Sequence, residues 1–381
     1  MSDQGVHMTG SVYRGTDAGG PGGRELKFRR LADRLRREIA EGVWPPGSRL
    51  PTEPELARAN GASISTVRRA VADLVAERLV VRRQGAGTYV LAPDSGERRA
   101  ELIGVVVPDT AFYYPRVLAG IEEELTAAGA RFAIVCSDYD QARERRALGE
   151  LLDAGVDGLL LVPTLDGPEQ PEAHLRRLAG LPVPAVLVER RGSTLGDTTE
   201  NVCTHHEAGG YDAVHHLARL GHRAIGLVLR APSPTAEPVS RGFRQAVREL
   251  GCRTAEFSAA LQEWSPAAAD RCLARLRAAG ATAAVCFGDR QAALLAAAAR
   301  RAGLTVPGDL ALIAYDDEIA DLAEIPLTAV APPKHQLGRT AAGLLLQRLR
   351  NPDQPRRQVL LRPAITVRDS CGGRREGGLP D

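Results

Sequence analysis

The hydrophobic pattern divides the chain into a short region of helices with a hairpin and a longer region of alternating strands and helices. In residues 49–91 apolar positions first recur at helical spacing, as at Val67 and Val71, and then with a period of two after Leu79. Gly61 separates two helical stretches, and a glycine-rich turn separates two strands. The pattern predicts a helix, a tight turn, a second helix and a two-stranded hairpin.

Polar residues at the expected helix starts support this prediction. Thr52 and Glu55, three residues apart, can form the two halves of a capping box for the first helix. Ser63 or Ser65 is expected to cap the second helix.

The second helix combines an apolar stripe with a face of hydroxyl and guanidinium groups. Such groups reach base edges and phosphates when a helix end enters a major groove, and a glycine-rich hairpin tip can lie against a phosphate or in a minor groove. The alternative is a small helical domain whose arginines are ordinary solvated charges. The candidate DNA contacts are Ser63, Ser65, Thr66, Arg68, Arg69, Arg82, Arg83, Gln84, Gly85 and Gly87.

The distribution of charge favours the DNA-binding interpretation. The whole chain has a formal charge of only +2, which is uninformative. Residues 24–99 contain 16 Lys or Arg against 10 Asp or Glu, whereas the remainder contains 33 against 37. The excess of positive charge thus lies where nucleic acid is expected to bind.

The same region resembles the winged helix-turn-helix of the gluconate-repressor (GntR) family. The stretches LPTEPELA, STVRRAVADL and QGAGTYV carry the resemblance, which spans roughly residues 28–92. It implies binding to double-stranded DNA at a specific operator. Pro54 and Ile64 occupy two positions at which the family often has arginine, so the operator sequence does not follow from the resemblance.

From Glu101 onward short apolar strands alternate with amphipathic helices. Such alternation predicts an α/β fold with right-handed crossovers, doubly wound parallel sheets and ligands at the carboxyl ends of the strands. The predicted strands include LIGVVVP, RFAIVCS, GLLLVP, PAVLVE, AIGLVL, AAVCFG and LALIAYDD, and the predicted helices lie near residues 115–128, 141–154, 240–250, 266–279 and 290–302.

Residues 102–369 resemble the effector domain of the lactose/galactose repressor (LacI/GalR) family, itself similar to periplasmic sugar-binding proteins. The stretches AGIEEELTAAGARFAIVCSDYD, GGYDAVHHLARLGHRAIGLV and GLTVPGDLALIAYDD carry the resemblance. A GntR-type region before a LacI-type region is the arrangement of the arabinose-type repressors. The resemblance implies a winged helix-turn-helix plus a two-lobed periplasmic-binding-protein-like domain, with residues 102–202 and 334–350 in the first lobe and 204–330 and 359–369 in the second.

The resemblance also implies an effector site between the lobes. It places Glu189 and Asp316 at strand ends where a carboxylate accepts sugar hydroxyls, and Trp264 where an aromatic ring stacks on the ligand. Each has a structural alternative, since Glu189 can pair with a neighbouring arginine, Asp316 can cap a turn and Trp264 can pack in the core. The candidate effector contacts are Tyr113, Tyr114, Glu189, Arg190, Trp264, Asp289 and Asp316.

Two departures from the LacI-type pattern affect the expected effector. Val239 stands where that family commonly has arginine, and Gly288 replaces the asparagine of an Asn-Asp pair. The loss of two polar groups predicts a less polar or smaller effector than a typical sugar. A non-sugar effector or corepressor, such as a nucleobase or nucleoside, is therefore an alternative.

Composition sets the expected boundaries and compartment. Residues 1–24 and 371–381 are expected to be disordered tails, and residues 93–100 a linker between a DNA-binding domain at 25–92 and an effector-binding and dimerisation domain at 101–370. The six cysteines lack metal-binding spacing, and no segment is typical of a signal peptide or membrane span. A cytoplasmic protein without metal or cofactor is expected.

Catalysis and sugar transport are the competing function classes. His205 and His206, like His215 and His216, are adjacent and do not share a helix face, and no catalytic or phosphate-loop motif occurs. A transport protein would need an export signal, which the DNA-binding region replaces. We therefore predict a homodimeric transcriptional regulator, a repressor whose operator affinity changes when a small molecule, expected to be a carbohydrate, binds between the lobes. The sequence does not distinguish an inducer from a corepressor.

Overall fold

The structure, a computed structural model, describes residues 21–77, 79–83, 87–91, 100–194 and 196–373. It separates into two units at the boundary between Arg99 and Ala100. The first unit is called the head below, and the second is called the body.

Three helices and a hairpin form the head. Helix α1 (Pro21–Ala40) packs on α3 (Ile64–Ala76), which follows α2 (Glu53–Asn60), and strand β1 (Val80–Arg83) pairs antiparallel with β2 (Gly87–Val90). This arrangement confirms the predicted winged helix-turn-helix. Its core contains Phe28, Leu31, Leu35, Leu50, Leu56, Val67, Val71, Leu74, Val80 and Val90.

Local capping contacts explain where α2 and α3 begin. The Glu55 carboxylate accepts hydrogen bonds from the N–H and the hydroxyl of Thr52, at 2.7 and 2.8 Å. The Ser63 hydroxyl accepts the N–H of Thr66 at 3.2 Å and so caps α3. Gly61 between the helices has a φ of 56°, in the left-handed region that favours glycine.

Helix α1 begins earlier than the composition predicts. It starts at Pro21, inside the segment expected to be a disordered tail as far as residue 24. Phe28, Leu31 and Leu35 lie at helical spacing and are buried against the other helices of the head. The arginines between them obscure this spacing in the sequence.

A six-stranded, wholly parallel sheet forms the first lobe of the body. Alternate residues of each strand point to opposite faces of the sheet and pack in two separate core clusters. Helices cover both faces, as is usual for a parallel sheet. In spatial order the strands are β4 (Arg131–Cys136), β3 (Leu102–Val107), β5 (Gly158–Leu161), β6 (Ala185–Val188), β7 (Glu200–Thr204) and β13 (Gln358–Leu361), and the helices are α4 (Tyr114–Ala127), α5 (Gln141–Asp153), α6 (Pro171–Ala179) and α11 (Lys334–Arg350).

The second lobe repeats this design, except that one edge strand runs antiparallel to its neighbour. In spatial order its strands are β9 (Arg253–Ala259), β8 (Ala224–Arg230), β10 (Ala283–Cys286), β11 (Ala311–Tyr315), β12 (Thr328–Ala331) and β14 (Ala364–Thr366), and its helices are α7 (His206–Arg219), α8 (Ala236–Glu249), α9 (Pro266–Ala278) and α10 (Asp289–Arg301). The two sheets confirm the predicted fold class.

The chain passes between the lobes after β7, after β12 and after β13. The predicted assignment of residues 359–369 to the second lobe is wrong at its start, because β13 pairs with β7 of the first lobe and aligns Val359 with Val202. The change of lobe occurs between Leu361 and Ala364. The β13 edge has no local signal in the sequence, since its partner strand lies more than a hundred residues earlier.

Glycines let one pair of helices approach closely in each lobe. A methyl group on Gly338 of α11 would lie 2.0 Å from the carbonyl oxygen of Val117 in α4. A methyl group on Gly242 of α8 would lie 1.8 Å from the carbonyl oxygen of Glu207 in α7. In each pair, one helix (α11 or α7) directly follows a change of lobe, and the glycine allows it to pack closely on its partner helix.

The described C-terminal residues belong to the second lobe. Cys371, expected to begin a disordered tail, is 2 % exposed and packs in the lobe core. Its sulfur lies 3.1 Å from the Thr328 hydroxyl and 3.3 Å from His216 Nε2. The expected tail boundary at residue 371 is therefore too early.

Candidate DNA-binding face and effector cleft

The exposed face of the recognition helix α3 lies beside the hairpin. Arg68 Nε is 3.2 Å from one carboxylate oxygen of Glu53, and Arg82 Nη2 is 2.9 Å from the other. Glu53 therefore brings an arginine of the helix and an arginine of the hairpin together. Sequence reasoning missed Glu53, because its partners Arg68 and Arg82 lie 15 and 29 residues later in the chain.

The hydroxyl residues at the start of α3 divide between capping and the exposed face. Ser65 is exposed, and its hydroxyl lies 2.9 Å from that of Ser63. Thr66 is 8 % exposed, with its hydroxyl 2.8 Å from Ser63. The structure therefore does not place Thr66 with the exposed candidates, because it supports the helix cap.

The other candidates of the head have varied surroundings. The Arg69 guanidinium lies 4.2 Å from the centre of the Phe28 ring, and so turns toward α1 rather than toward Arg68. Gly87 leaves room for Arg49, whose Nε would lie 2.6 Å from an added methyl group. Gln84, Gly85 and the side chain of Arg83 lie outside the described residues.

The candidate effector residues of the body lie at the carboxyl ends of parallel strands, and several have strained backbone. Glu189, directly after β6, has a φ of 59°, and Asp316, directly after β11, has a φ of 96°. In the described part of the chain, every non-glycine residue with a positive φ lies in such a loop: Phe112, Asp138, Tyr139, Glu189, Asp316 and Asp317. Strain of this kind persists where surrounding contacts hold the backbone and is concentrated at functional sites.

Glu189 is buried and held by three groups. The Tyr113 hydroxyl donates to it in a short hydrogen bond, the Thr204 N–H donates at 2.8 Å, and His206 Nε2 lies 3.2 Å away. Burial opposes ionisation, but His206, Tyr113 and Thr204 together lower the pKa of Glu189 to about 2. The side chain is therefore a fixed carboxylate.

His206 connects this carboxylate to the second lobe. Its Nδ1 lies 3.0 Å from the hydroxyl of Tyr315, which is fully buried at the end of β11. Tyr113, Glu189, His206 and Tyr315 form what is called the interlobe network below. Sequence reasoning treated His206 as a structural or surface histidine, because its partner Tyr315 is 109 residues away.

Lys334 makes a second connection between the lobes. It is 2 % exposed at the start of α11 in the first lobe, and its ammonium donates to the Asp316 carbonyl and pairs with Glu318 in the second. The ammonium also lies 5.1 Å from the centre of the Tyr113 ring. Its position directly after a Pro-Pro pair at a change of lobe was the available signal.

Asp316 is the second carboxylate of the cleft, and its surroundings disfavour its ionised form. Burial and the nearby Asp289 carboxylate raise the pKa of Asp316 to about 6, although Lys334 and Arg230 favour its ionised form. Arg230, the last residue of β8, lies over the Phe287 ring at 5.4 Å. The rule that ligands bind at carboxyl strand ends could have identified Arg230 from the sequence.

Asp289 supports the cleft rather than facing it. Its two carboxylate oxygens accept the backbone N–H groups of Asp317, Glu318 and Ile319, at 3.3, 2.6 and 2.9 Å. Both oxygens are thus already hydrogen-bonded to the loop that follows Asp316, so Asp289 holds this loop, and its expected contact with the effector stays a prediction.

Of the remaining candidates, Arg190 contacts the other lobe, whereas Tyr114 and Trp264 lie in core clusters. Arg190 donates to its neighbour's carbonyl at 2.9 Å and reaches the Thr235 hydroxyl of the second lobe at 3.4 Å. Tyr114 is 3 % exposed in the first-lobe core. Trp264 is also 3 % exposed, packed edge-on against Phe257 in a second-lobe core cluster. The core-packing alternative thus describes the surroundings of Trp264, and Tyr114 is likewise buried in a core cluster.

The two departures from the LacI-type pattern have different surroundings. Val239 is fully buried in the second-lobe core, and Gly288 has a φ of 109°. Arg241, the nearest arginine in sequence, pairs instead with Glu207. The structure therefore supplies no guanidinium from α8 to the cleft among the residues it describes.

Two classes of site are not found in the described part of the chain. No three His, Cys, Asp or Glu side chains are grouped so as to hold a metal ion. None of the helices has the length and apolar character needed to cross a membrane.

Comparison with known proteins agrees with this arrangement. Residues 27–90 match the family model of bacterial regulatory proteins of the gntR family, and residues 214–371 match that of the periplasmic binding protein-like domain. The arabinose metabolism transcriptional repressor of Geobacillus stearothermophilus is 30 % identical over 355 residues, which cover 90 % of this chain and 97 % of that protein. The chain belongs to this family of transcriptional repressors. The membership confirms the prediction of a DNA-binding transcriptional regulator.

Solved structures resemble the body of this family member. The transcription regulator GntR from Chromobacterium violaceum has a TM-score of 0.60 at 28 % identity, with 72 % of this chain and 100 % of that chain covered. A LacI family regulator from Enterococcus faecium, solved with bound ribose, has a TM-score of 0.57 at 26 % identity, with 71 % and 98 % covered.

Proposed function

We propose that the effector of this repressor is a small polyhydroxylated molecule of the sugar class, bound between the two lobes of the body. The supporting observation is that Glu189 and Asp316 extend from strand ends of different lobes, on strained backbone held by several contacts. Carboxylate oxygens accept the hydroxyl groups of such molecules. The Enterococcus faecium regulator with ribose provides a related example.

The residues have different roles in this proposal. Glu189 accepts hydroxyls as a fixed carboxylate, and Asp316 binds either as acceptor or, below about pH 6, as donor. Arg190 and Arg230 supply further donors at the strand ends. Trp264, packed against Phe257 in a second-lobe core cluster, is given no ligand contact in this proposal.

The space present between the lobes requires movement for binding. A cavity of about 70 Å³ is lined from both lobes, including Glu189, Arg190, Thr204, Thr235 and Pro238. Typical ligand pockets enclose ~300–1,000 Å³. A sugar therefore enters only when the lobes separate, which breaks or rearranges the contacts of His206 and Lys334. That change is the two-state element that effector binding biases.

The head reads an operator as one half of a dimer in the cytoplasm. Two-fold symmetric regulators present two heads to two half-sites. The body has a mostly apolar groove of about 250 Å³, whose lining includes Ala293, Ala296, Ala297 and Leu304 and also the ion pair of Arg300 with Glu324. A second copy would cover this apolar surface.

Binding rather than catalysis also fits the histidines. His205 caps α7 by accepting the Ala208 N–H at 2.9 Å, and His215 packs against the Tyr211 ring at 4.3 Å. His216 contacts Cys371. Each side chain is used within the fold, so we assign none of them to a reaction.

A calorimetric titration of the full chain with sugars, sugar phosphates and nucleosides tests the effector class. We expect one sugar to bind, and Glu189→Gln to weaken that binding at least about tenfold, since a hydrogen bond to a charged group contributes about 1.5–3 kcal/mol. Glu172→Gln, an exposed change on α6 of the same lobe, is the matched control. Binding of a nucleoside instead would favour a second candidate, a flatter ligand, which the apolar surroundings of Val239 support. Sugar binding unaffected by Glu189→Gln would contradict the proposed site.

A further inference from the structure

The start of the recognition helix exposes an apolar side chain. Ile64, the first residue of α3, is 46 % exposed, whereas Val67, Ala70, Val71 and Leu74 of the same helix are at most 1 % exposed. Ile64 is therefore not part of the head core. An exposed isoleucine at a helix end that faces DNA would remain in water unless the DNA supplies an apolar group.

The neighbours of Ile64 identify where on the DNA it would lie. Arg68 follows it by four residues, so the two side chains share a helix face with their Cβ atoms about 6 Å apart. Ser65 on the adjoining face is exposed. Glu53 pairs with Arg68 and with the hairpin arginine Arg82, so Arg68 lies on the side of α3 that faces the hairpin.

The major groove offers one apolar group, the 5-methyl group of thymine. We propose that Ile64 contacts a thymine methyl group in each operator half-site, and that this thymine lies within about two base pairs of the guanine read by Arg68, since base pairs rise about 3.4 Å each. This inference rests on the proposed reading of DNA by the head and names a residue that determines its specificity.

The chemistry of the contact accounts for the departure from the GntR pattern. An arginine at this position would present donors to guanine acceptors, whereas an isoleucine presents none and leaves such acceptors without partners. The change from a guanidinium to a branched alkyl group therefore shifts preference at that base pair from guanine toward thymine.

Replacing thymine with uracil removes only this methyl group, and so provides the test. Operators would first be selected from random double-stranded DNA with the full chain, and binding then measured by fluorescence anisotropy at fixed salt with each thymine replaced singly by uracil. We expect one symmetry-related position at which uracil weakens binding about threefold to fivefold, from the burial of one methyl group. With Ile64→Ala that loss should disappear, because the two changes remove the same contact.

Two comparisons make the test specific. Val43→Ala alters another exposed apolar residue of the head, 58 % exposed, and should keep the full uracil effect. Replacing guanines with 7-deazaguanine, which removes the N7 acceptor, should locate the Arg68 contact within about two base pairs. A uracil effect of equal size in Ile64→Ala, or none at any thymine in the wild-type chain, would overturn the inference while leaving operator binding intact. Failure to enrich any sequence would overturn the proposed reading of DNA together with it.

Discussion

The DNA-binding face and the effector cleft use charged groups in opposite ways. In the head, Arg68 and Arg82 are exposed, and Glu53 holds them in ion pairs that water screens. In the body, Glu189 and Asp316 are enclosed on strained backbone, and their pKa values shift in opposite directions to about 2 and about 6. The surface proposed to meet phosphates keeps its charges accessible, whereas the site proposed to bind the effector couples its charges to the fold.

The largest expected effect concerns the half-buried carboxyl group of Asp316. Its pKa is raised from 3.8 to about 6, so protonated Asp316 contributes stability that is fully present below pH 3.8 and lost as pH rises through about 6. The loss amounts to about 3 kcal/mol. Asp316→Asn cannot ionise, so the variant should gain stability relative to the wild type by this order between about pH 4 and about pH 7.

Denaturant unfolding followed across this pH range measures the difference. Asp353→Asn, which changes an exposed carboxylate of the body, serves as the control and should follow the wild type. A constant difference between Asp316→Asn and the wild type would mean that the Asp316 carboxylate is not opposed by its surroundings. The charges of the cleft would then not differ from the accessible charges of the head in their coupling to the fold.

On the side of the head, Arg68→Ala should weaken operator binding without loss of stability. A lost bidentate base contact costs about 1–3 kcal/mol of binding, while an exposed ion pair contributes little to folding. The measurement is an operator titration at fixed salt, paired with thermal unfolding. Arg37→Ala on α1 removes the same charge from an exposed site and serves as control. If both changes weakened operator binding equally, Arg68 would contribute only through the net charge of the head.

Among these substitutions, Arg69→Ala is expected to have the smallest effect on operator affinity. Because the Arg69 guanidinium lies over Phe28, its removal should cost about 0.5–1 kcal/mol of stability and change operator affinity less than Arg68→Ala does. Thermal unfolding and operator titration of the two variants side by side give the comparison. Stronger loss of affinity in Arg69→Ala would show that the arginine leaves Phe28 to contact DNA.

The parts of the molecule that local sequence determines could be predicted. The capping contacts of Thr52 with Glu55 and of Ser63 depend on residues three apart, and helix α11 has the bounds that the family resemblance implies. The strand-helix alternation gave both sheets because buried parallel strands are short and continuously apolar.

The contacts that connect distant segments could not be predicted. His206 meets Tyr315 and Lys334 meets Asp316 only after the lobes assemble, and neither pair has a motif. Asp289 has the expected position at a strand end, but its hydrogen bonds to the Asp317–Ile319 loop depend on how that loop folds back. Residue type and strand-end position thus predict where a site lies, whereas which side chains face the ligand depends on tertiary structure.

A ligand between the lobes is proposed to control operator affinity through Glu189, without Glu189 touching DNA. The most direct test measures the operator dissociation constant of the wild type and of Glu189→Gln, with and without the sugar identified by calorimetry. We expect operator affinity to change on adding sugar in the wild type alone, when each protein is compared with its own sugar-free value. A Glu189→Gln protein whose operator affinity changes with sugar as the wild type does would contradict the account.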